Sequence, residues 1–391
     1  MTNITNPKVL QYYNDICKEW NFIPTQKIST GYESVEKDLK KLSKEVWEKA
    51  DTDGKASIQQ DVFDIYRTKN ILPITYYSLE GCEEEIKSLA KKSTSIEDKK
   101  ISTGLTAGQS FCRFWFPNMQ DAKTFNYSEV SLRHRFNNDN KLKAAIQICY
   151  KNRDEGDKAV LPQSIRRALD LTGGGTIQNF KPLNARAIYE YICPNFFGKV
   201  LDFSSGYGGR MLGSMTSMMK YNYTGIDPNT NTYVGLDALG SMINDLQLGN
   251  GYQMNHCCSE DFDAPEKSFD AAFSSPPYFN LEIYSDEETQ CMNRYTNLDA
   301  WFDYYVTPTL NMLHKVLVDD AIYAVNIADY DKGKTKVVDR WIELSKKLNF
   351  EHVDTLKMML NVRPGKGNNK LQNGFKHEGV YLFRKNKLDK I

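Results

Sequence analysis

The chain has 391 residues, 40% of them apolar, with 50 basic and 50 acidic side chains. That length suits two domains or one enlarged domain with a real core. A net charge of zero excludes capture of nucleic acid by global attraction, so such a partner would need a local basic face.

Met1 to Val9 is polar and no apolar run approaches a membrane span, so neither a signal peptide nor a membrane partner is expected. Eight cysteines occur without any Cys-x-x-Cys, and five histidines are scattered. This argues against a zinc site or other metal and against a disulfide framework, and for a reducing, cytoplasmic setting.

Residues 1–160 read as a mainly helical N-terminal domain. Val35, Leu39, Leu42 and Val46 recur at helical spacing after a possible Ser34 cap. Asp51-Thr-Asp-Gly54 opens like a calcium loop, but the later ligands are missing and Val62 stands at the twelfth position, so a turn is expected. Ile71 to Tyr77 reads as a short strand and Cys82 to Ala90 as a helix. Phe111 to Phe116 is the densest aromatic stretch and reads as a core strand. Arg133 and Arg135, near aromatics, are candidates for nucleic-acid contact. Residues 151–176 look like a linker around a short helix, Gln163 to Leu171, which puts a domain boundary near residue 160.

From residue 177 strands and helices alternate. Strands are expected at 199–203, 223–226, 253–257, 269–273 and 321–327, separated by helices at 209–219, 231–246 and 298–317. A helix at 184–192 precedes them. A helix at 336–348 and two strands, 353–361 and 379–384, follow. Such alternation predicts an α/β fold, a mostly parallel sheet covered on both faces, ending in an antiparallel hairpin at the edge.

The polar residues cluster where these strands end. Asp202 closes the first strand, and Ser204, Gly206, Gly208 and Gly209 lead into a helix. The glycines allow close backbone approach to a ligand, but the spacing is not the dinucleotide Gly-x-Gly-x-x-Gly. Asp227 ends the second strand, where an acid can accept from ribose hydroxyls. Glu260 and Asp261 follow the third. The fourth ends in Ser275-Pro276-Pro277-Tyr278, a corner in which two prolines supply no backbone donors and fix φ.

These motifs, in this order, resemble the class I S-adenosylmethionine-dependent methyltransferases, and among them the DNA amino-methyltransferases acting on N4 of cytosine or N6 of adenine. The resemblance covers residues 177–391, within a catalytic domain expected over 161–391, and implies a Rossmann-like methyltransferase sheet. It implies S-adenosyl-L-methionine as cofactor, held by Asp202 to Gly209, Asp227, and Glu260 or Asp261. A further motif, Phe180-Lys181-Pro182, would contact the methionine end. Ser275 to Tyr278 would be the catalytic tetrad. Ser275 Oγ and the Pro276 carbonyl would accept the two amine hydrogens, and Tyr278 would stack on a flipped base. Serine at position 275 favours cytosine over adenine within that family.

DNA is the implied partner, in a restriction-modification setting or otherwise, with RNA or a non-catalytic nucleic-acid-binding role as alternatives. No separate recognition region fits between the motifs. Residues 279–297 are expected to form a lid bearing Tyr284 and Gln290. The basic loop with Arg363, Lys366 and Lys370 is expected near phosphate.

Overall fold

The structure is a computed structural model and describes residues 2–101, 106–124, 130–152, 156–173, 177–330, 333–359 and 377–387. Seven strands form the body of the main sheet: β1 (Lys199–Asp202), β2 (Asn222–Ile226), β3 (Tyr252–Asn255), β4 (Phe269–Ser274), β5 (Leu317–Asn326), β6 (Phe350–Met359) and β7 (His377–Lys385). Their spatial order is β6-β7-β5-β4-β1-β2-β3. β3, β2, β1, β4 and β5 run parallel, and β7 is antiparallel to both β5 and β6. This is a mostly parallel, Rossmann-like sheet with a C-terminal antiparallel hairpin.

One expectation is corrected. The antiparallel strand is not the edge. β7 fills the slot between β5 and β6, and the hairpin Ile96–Glu97/Lys100–Ile101 extends the sheet beyond β6.

Alternation along the strands supplies both faces with apolar side chains. Val200, Ala271, Phe273, Ala324 and Leu382 join one core, whereas Leu201, Ala272, Val325 and Phe383 join the other. The first core is covered by α1 (Pro182–Ile192), α2 (Gly209–Met215) and α3 (Thr230–Asp245). The second is covered by α4 (Thr307–Val316) and α5 (Val338–Lys347).

The first core does not stop at residue 160. It runs from Ile4 through Trp115 and Phe136 to Leu382. Trp115 Nε1 donates to the Gly235 carbonyl of α3 at 2.9 Å, and Arg186 of α1 donates to the Leu89 carbonyl at 3.0 Å. The mainly helical N-terminal half therefore shares its core with the sheet layer instead of enclosing one of its own.

Local chemistry explains where element boundaries depart from expectation. The helix expected through Val35 and Val46 is two, Glu36–Lys41 and Lys44–Lys49, because the Ser43 side chain accepts from Val46 N and caps the second. Asp51 is likewise a cap, accepting from Gly54 N at 2.8 Å to start the helix Thr52–Lys69. Phe111 to Trp115 is buried as expected, but as the helix Gln109–Trp115 and not as a strand. Four of the five residues from Phe111 to Trp115, all but Arg113, are enclosed, so tertiary burial overrides the β propensity of aromatics.

The long helix expected at 298–317 is Leu298–Trp301, a π turn Phe302–Val306, then α4. Pro308 cannot donate and crowds the carbonyl four residues back, which widens the preceding turn. The Thr307 hydroxyl takes up the Phe302 carbonyl at 2.9 Å.

Candidate active site

The carboxyl ends of β1, β2 and β4 and the segment before α1 converge on the glycine turn. Gly206 and Gly208 have φ of +57° and +73°, a region open to glycine at little cost. A Cβ on Gly209 would lie 2.0 Å from the Phe180 carbonyl oxygen, so this glycine lets residues 179–181 lie against the turn. Asn179 Nδ2 secures them by donating to the Tyr207 carbonyl at 2.7 Å. Phe180 packs edge-on to Phe273 at 5.3 Å, Lys181 is the N-cap of α1, and Pro182 opens it. Burial pulls the Lys181 ammonium below its usual range. Around Gly206, by contrast, a Cβ would meet nothing nearer than 3.8 Å. The open space lies there.

Asp202 does not face that space, which corrects its expected role as a cofactor ligand. Its side chain has no exposed surface. Oδ2 accepts from Arg210 Nε and the Tyr223 hydroxyl, both at 2.9 Å, and Oδ1 from the Ser274 hydroxyl at 2.9 Å and Ser204 N at 3.3 Å. Arg210 also donates to the Ser204 carbonyl. Asp202 and Arg210 thus bind β1, β2, β4 and the glycine turn into one unit. The Ser204 hydroxyl turns to the Phe203 carbonyl at 2.6 Å and the Tyr305 hydroxyl at 3.1 Å.

Asp227 reaches the same turn from β2. It accepts from Gly206 N at 2.7 Å and Asn229 N at 3.0 Å, one bond per carboxylate oxygen, leaving lone pairs for a ligand. Burial pushes its carboxyl up to about 6 against those two bonds. The sign of the resulting pH dependence is definite. Between the unfolded value of 3.8 and about 6 the native protein binds the extra proton, so this group makes the ligand-free protein less stable as pH rises through that window. A ligand hydroxyl donates more strongly to the ionised form. Cofactor affinity should therefore rise with pH through about 6, and Asp227→Asn should flatten that dependence in equilibrium dialysis.

Glu260 and Asp261 lie in a short turn after β3 and meet Arg294 from the loop beyond the tetrad. Arg294 is 3.2 Å from Glu260, 2.7 Å from Asp261 and 2.9 Å from Cys258 Sγ. Cys258, Glu260 and Asp261 are close enough to hold a metal ion among the described residues, but Arg294 already contacts all three. The Glu260 side chain is 4% exposed and that of Asp261 52%. Glu260 Oε1 also accepts from Tyr295, whereas its Oε2 is buried with no partner. Of the two acids, Glu260 is the one with an oxygen left over. Arg294 and Tyr295 went unread in the sequence because only the fold brings them to this rim.

The tetrad closes the row. Ser275 Oγ lies 3.3 Å from Asn326 Oδ1 and 3.4 Å from the Asn326 carbonyl. Asn326 ends β5, beside β4, and its Nδ2 donates to the Gly379 carbonyl of β7 at 3.0 Å. That bond turns Oδ1 towards Ser275. The serine proton therefore has an acceptor, and the Oγ lone pairs remain for a substrate N–H. Pro276 is buried and Pro277 half-buried, so the corner is held from beneath. The half-buried Tyr278 donates to Glu378 Oε1 at 3.0 Å and meets Tyr330 edge-on at 5.7 Å. Asn326 was legible in principle, as a polar residue ending an apolar strand; Glu378 carried no such signal.

The expected nucleic-acid contacts fare differently. Arg135 is fully buried and donates to the Leu169 and Gly173 carbonyls at 3.4 and 2.8 Å, so it is an internal brace and cannot touch a phosphate. Arg133 donates to Asp121 at 2.8 Å and to the Pro117 carbonyl at 3.2 Å, and its guanidinium lies 5.1 Å over Trp20. Its charge is spent inside the chain. Arg363, Lys366 and Lys370 lie outside the described residues. In the loop beyond the tetrad, Gln290 donates to the Glu282 carbonyl and accepts from Tyr284 N, both at 3.0 Å.

No family model and no curated protein matches the chain. Among solved structures, a SAM-dependent methyltransferase from Methanosarcina mazei is 13% identical, covering 51% of this chain and 98% of its own, with a TM-score of 0.35. A methyltransferase from Pyrococcus furiosus is 14% identical over 53% and 83%, TM-score 0.35. A tRNA methyltransferase from Aquifex aeolicus is 15% identical over 54% and 72%, TM-score 0.36. Likeness this slight bears on no residue's role. The fold rests on the strand order and directions described above.

Proposed function

We propose that the protein is an S-adenosylmethionine-dependent methyltransferase acting on the exocyclic amine of a DNA base, N4 of cytosine in preference to N6 of adenine. The observation that carries this reading is Ser275. Its hydroxyl proton is directed to Asn326, on the strand next to the one that ends in the tetrad, which leaves an acceptor beside the Pro276 carbonyl.

The residues present fit the cofactor. The open face of Gly206 admits a ligand against the backbone, Asp227 keeps lone pairs for ribose hydroxyls, and Glu260 Oε2 can accept from an adenine amine. When bound, the cofactor supplies an electrophilic methyl group on a cationic sulfur. The chain's own residues do the rest. An exocyclic amine is a poor nucleophile because its lone pair is delocalised into the ring. Ser275 Oγ and the Pro276 carbonyl, accepting its two hydrogens, hold nitrogen nearer sp³ and aim the lone pair. Tyr278, tied down by Glu378, offers its face to the base. This is catalysis by orientation and fixed dipoles.

Transfer of tritiated methyl to duplex DNA, single-stranded DNA and tRNA tests the reading, with mass spectrometry of the nucleosides naming the base. Label in N4-methylcytosine from DNA is the expected result. Label confined to tRNA would move the activity to RNA, and no label on any polynucleotide would overturn the reading.

A further inference from the structure

We propose that Glu282 is the group that takes up the proton released when the amine is methylated, an inference that rests on the amine-methyltransferase reading above. Glu282 lies four residues beyond Tyr278, on the short strand Glu282–Ile283 that pairs antiparallel with Lys123–Thr124 of the N-terminal half. The Gln290 amide clamps the same segment. The carboxylate is therefore built into place and not left on a free loop. Oε2 accepts from the Tyr284 hydroxyl. Among the described residues, no hydrogen bond reaches Oε1.

A second, independent observation marks the space beside it. Tyr207, in the glycine turn, is 5% exposed, and its hydroxyl has no partner. Its ring lies 6.3 Å from that of Tyr284. Burial first, and then the charges of Asp227, Glu282 and Asp121, hold the Tyr207 hydroxyl above its usual range. Tyr207 is thus a buried polar group without a partner in the glycine turn, its ring beside that of the tyrosine that donates to Glu282. Glu282 and Glu378 also both act on the Tyr278 hydroxyl.

The chemistry requires an acceptor there. The N–C bond formed by the amine lone pair leaves the S–C bonding pair on sulfur and a positive charge on nitrogen. One N–H bond then breaks, its electrons return to nitrogen, and the proton passes to Glu282 and on to solvent. Burial and the neighbouring Glu378 hold Glu282 above the ordinary carboxylate range, while the Tyr284 hydroxyl draws it down. The remaining groups near it are Tyr278 and Tyr207, with Thr124 opposite it on the paired strand and Lys123 opposite Ile283. A base of raised pKa is better matched to neutral pH than an exposed carboxylate.

Three variants test this. Glu282→Gln should lower kcat about 10²-fold, leave KM and cofactor affinity near wild type, and remove the acid limb of the kcat–pH profile. Tyr284→Phe removes a donor to the carboxylate, so it should move that limb to higher pH. Ser275→Ala should lower kcat without moving the limb. The second readout needs no turnover: infrared titration of the ligand-free protein should show a carboxyl band that is absent in Glu282→Gln and titrates higher in Tyr284→Phe. The proposal is overturned if Glu282→Gln keeps kcat within about twofold with the acid limb in place, or if no band responds to Tyr284→Phe. If the wild-type protein methylates no polynucleotide, the parent reading falls and this inference with it. An active wild type with an unaffected Glu282→Gln overturns the inference alone.

Discussion

Ser275→Ala lowers turnover by about 10²–10³-fold, the range seen when one preorganised polar group aimed at a transition state is removed. On the proposed reading the hydroxyl is the side-chain half of the acceptor pair, and its orientation is set by Asn326, whose own amide is tied to β7. Alanine removes the acceptor and leaves the scaffold intact. Cofactor affinity should therefore stay near wild type in calorimetry while single-turnover methyl transfer slows. Loss of cofactor affinity as severe as that of Asp227→Asn would show that Ser275 serves the cofactor and not the amine. Asn326→Ala should reproduce part of the loss, because the serine proton would then keep only the backbone carbonyl at 3.4 Å as acceptor and be held less firmly.

Arg210→Met destabilises the protein by about 3–5 kcal/mol, the cost of leaving a buried charge without its partner. Asp202 is wholly enclosed, and Arg210 supplies its only positive charge among the described residues. The tyrosine and serine hydroxyls that also bind Asp202 cannot offset an ionised carboxylate alone. Urea denaturation should show the midpoint falling. Arg210→Lys should rescue little, since one ammonium cannot bridge Asp202 and the Ser204 carbonyl as the planar fork does. An unchanged midpoint would mean that Asp202 is not held as the geometry indicates.

The parallel sheet was legible because buried β-strands, glycine turns and helix caps leave local marks: an apolar run, a residue type that tolerates φ above zero, a serine or aspartate before a helix. The place of Asp227 against the glycine turn was legible for the same reason, since it follows its strand directly. Arg135 was misread because an arginine beside aromatics looks the same whether it braces two carbonyls inside or faces a phosphate outside. Asp202 was misread because strand-end position does not say which way a carboxylate points. Only Arg210, Tyr223 and Ser274, arriving from three other elements, turn it inward.

By itself, then, the sequence determined the order of the strands in the chain, the glycine turn, Asp227 and the proline corner, because each is a property of neighbouring residues. The tertiary structure decided what contiguity cannot express. It placed β7 inside the sheet and fused the N-terminal helices to the same core. It drew Asn326, Glu378 and Arg294 to the site from other segments. Side-chain direction and burial depend on packing between elements far apart in the chain, so the residues that hold and tune this site became visible only once those elements met.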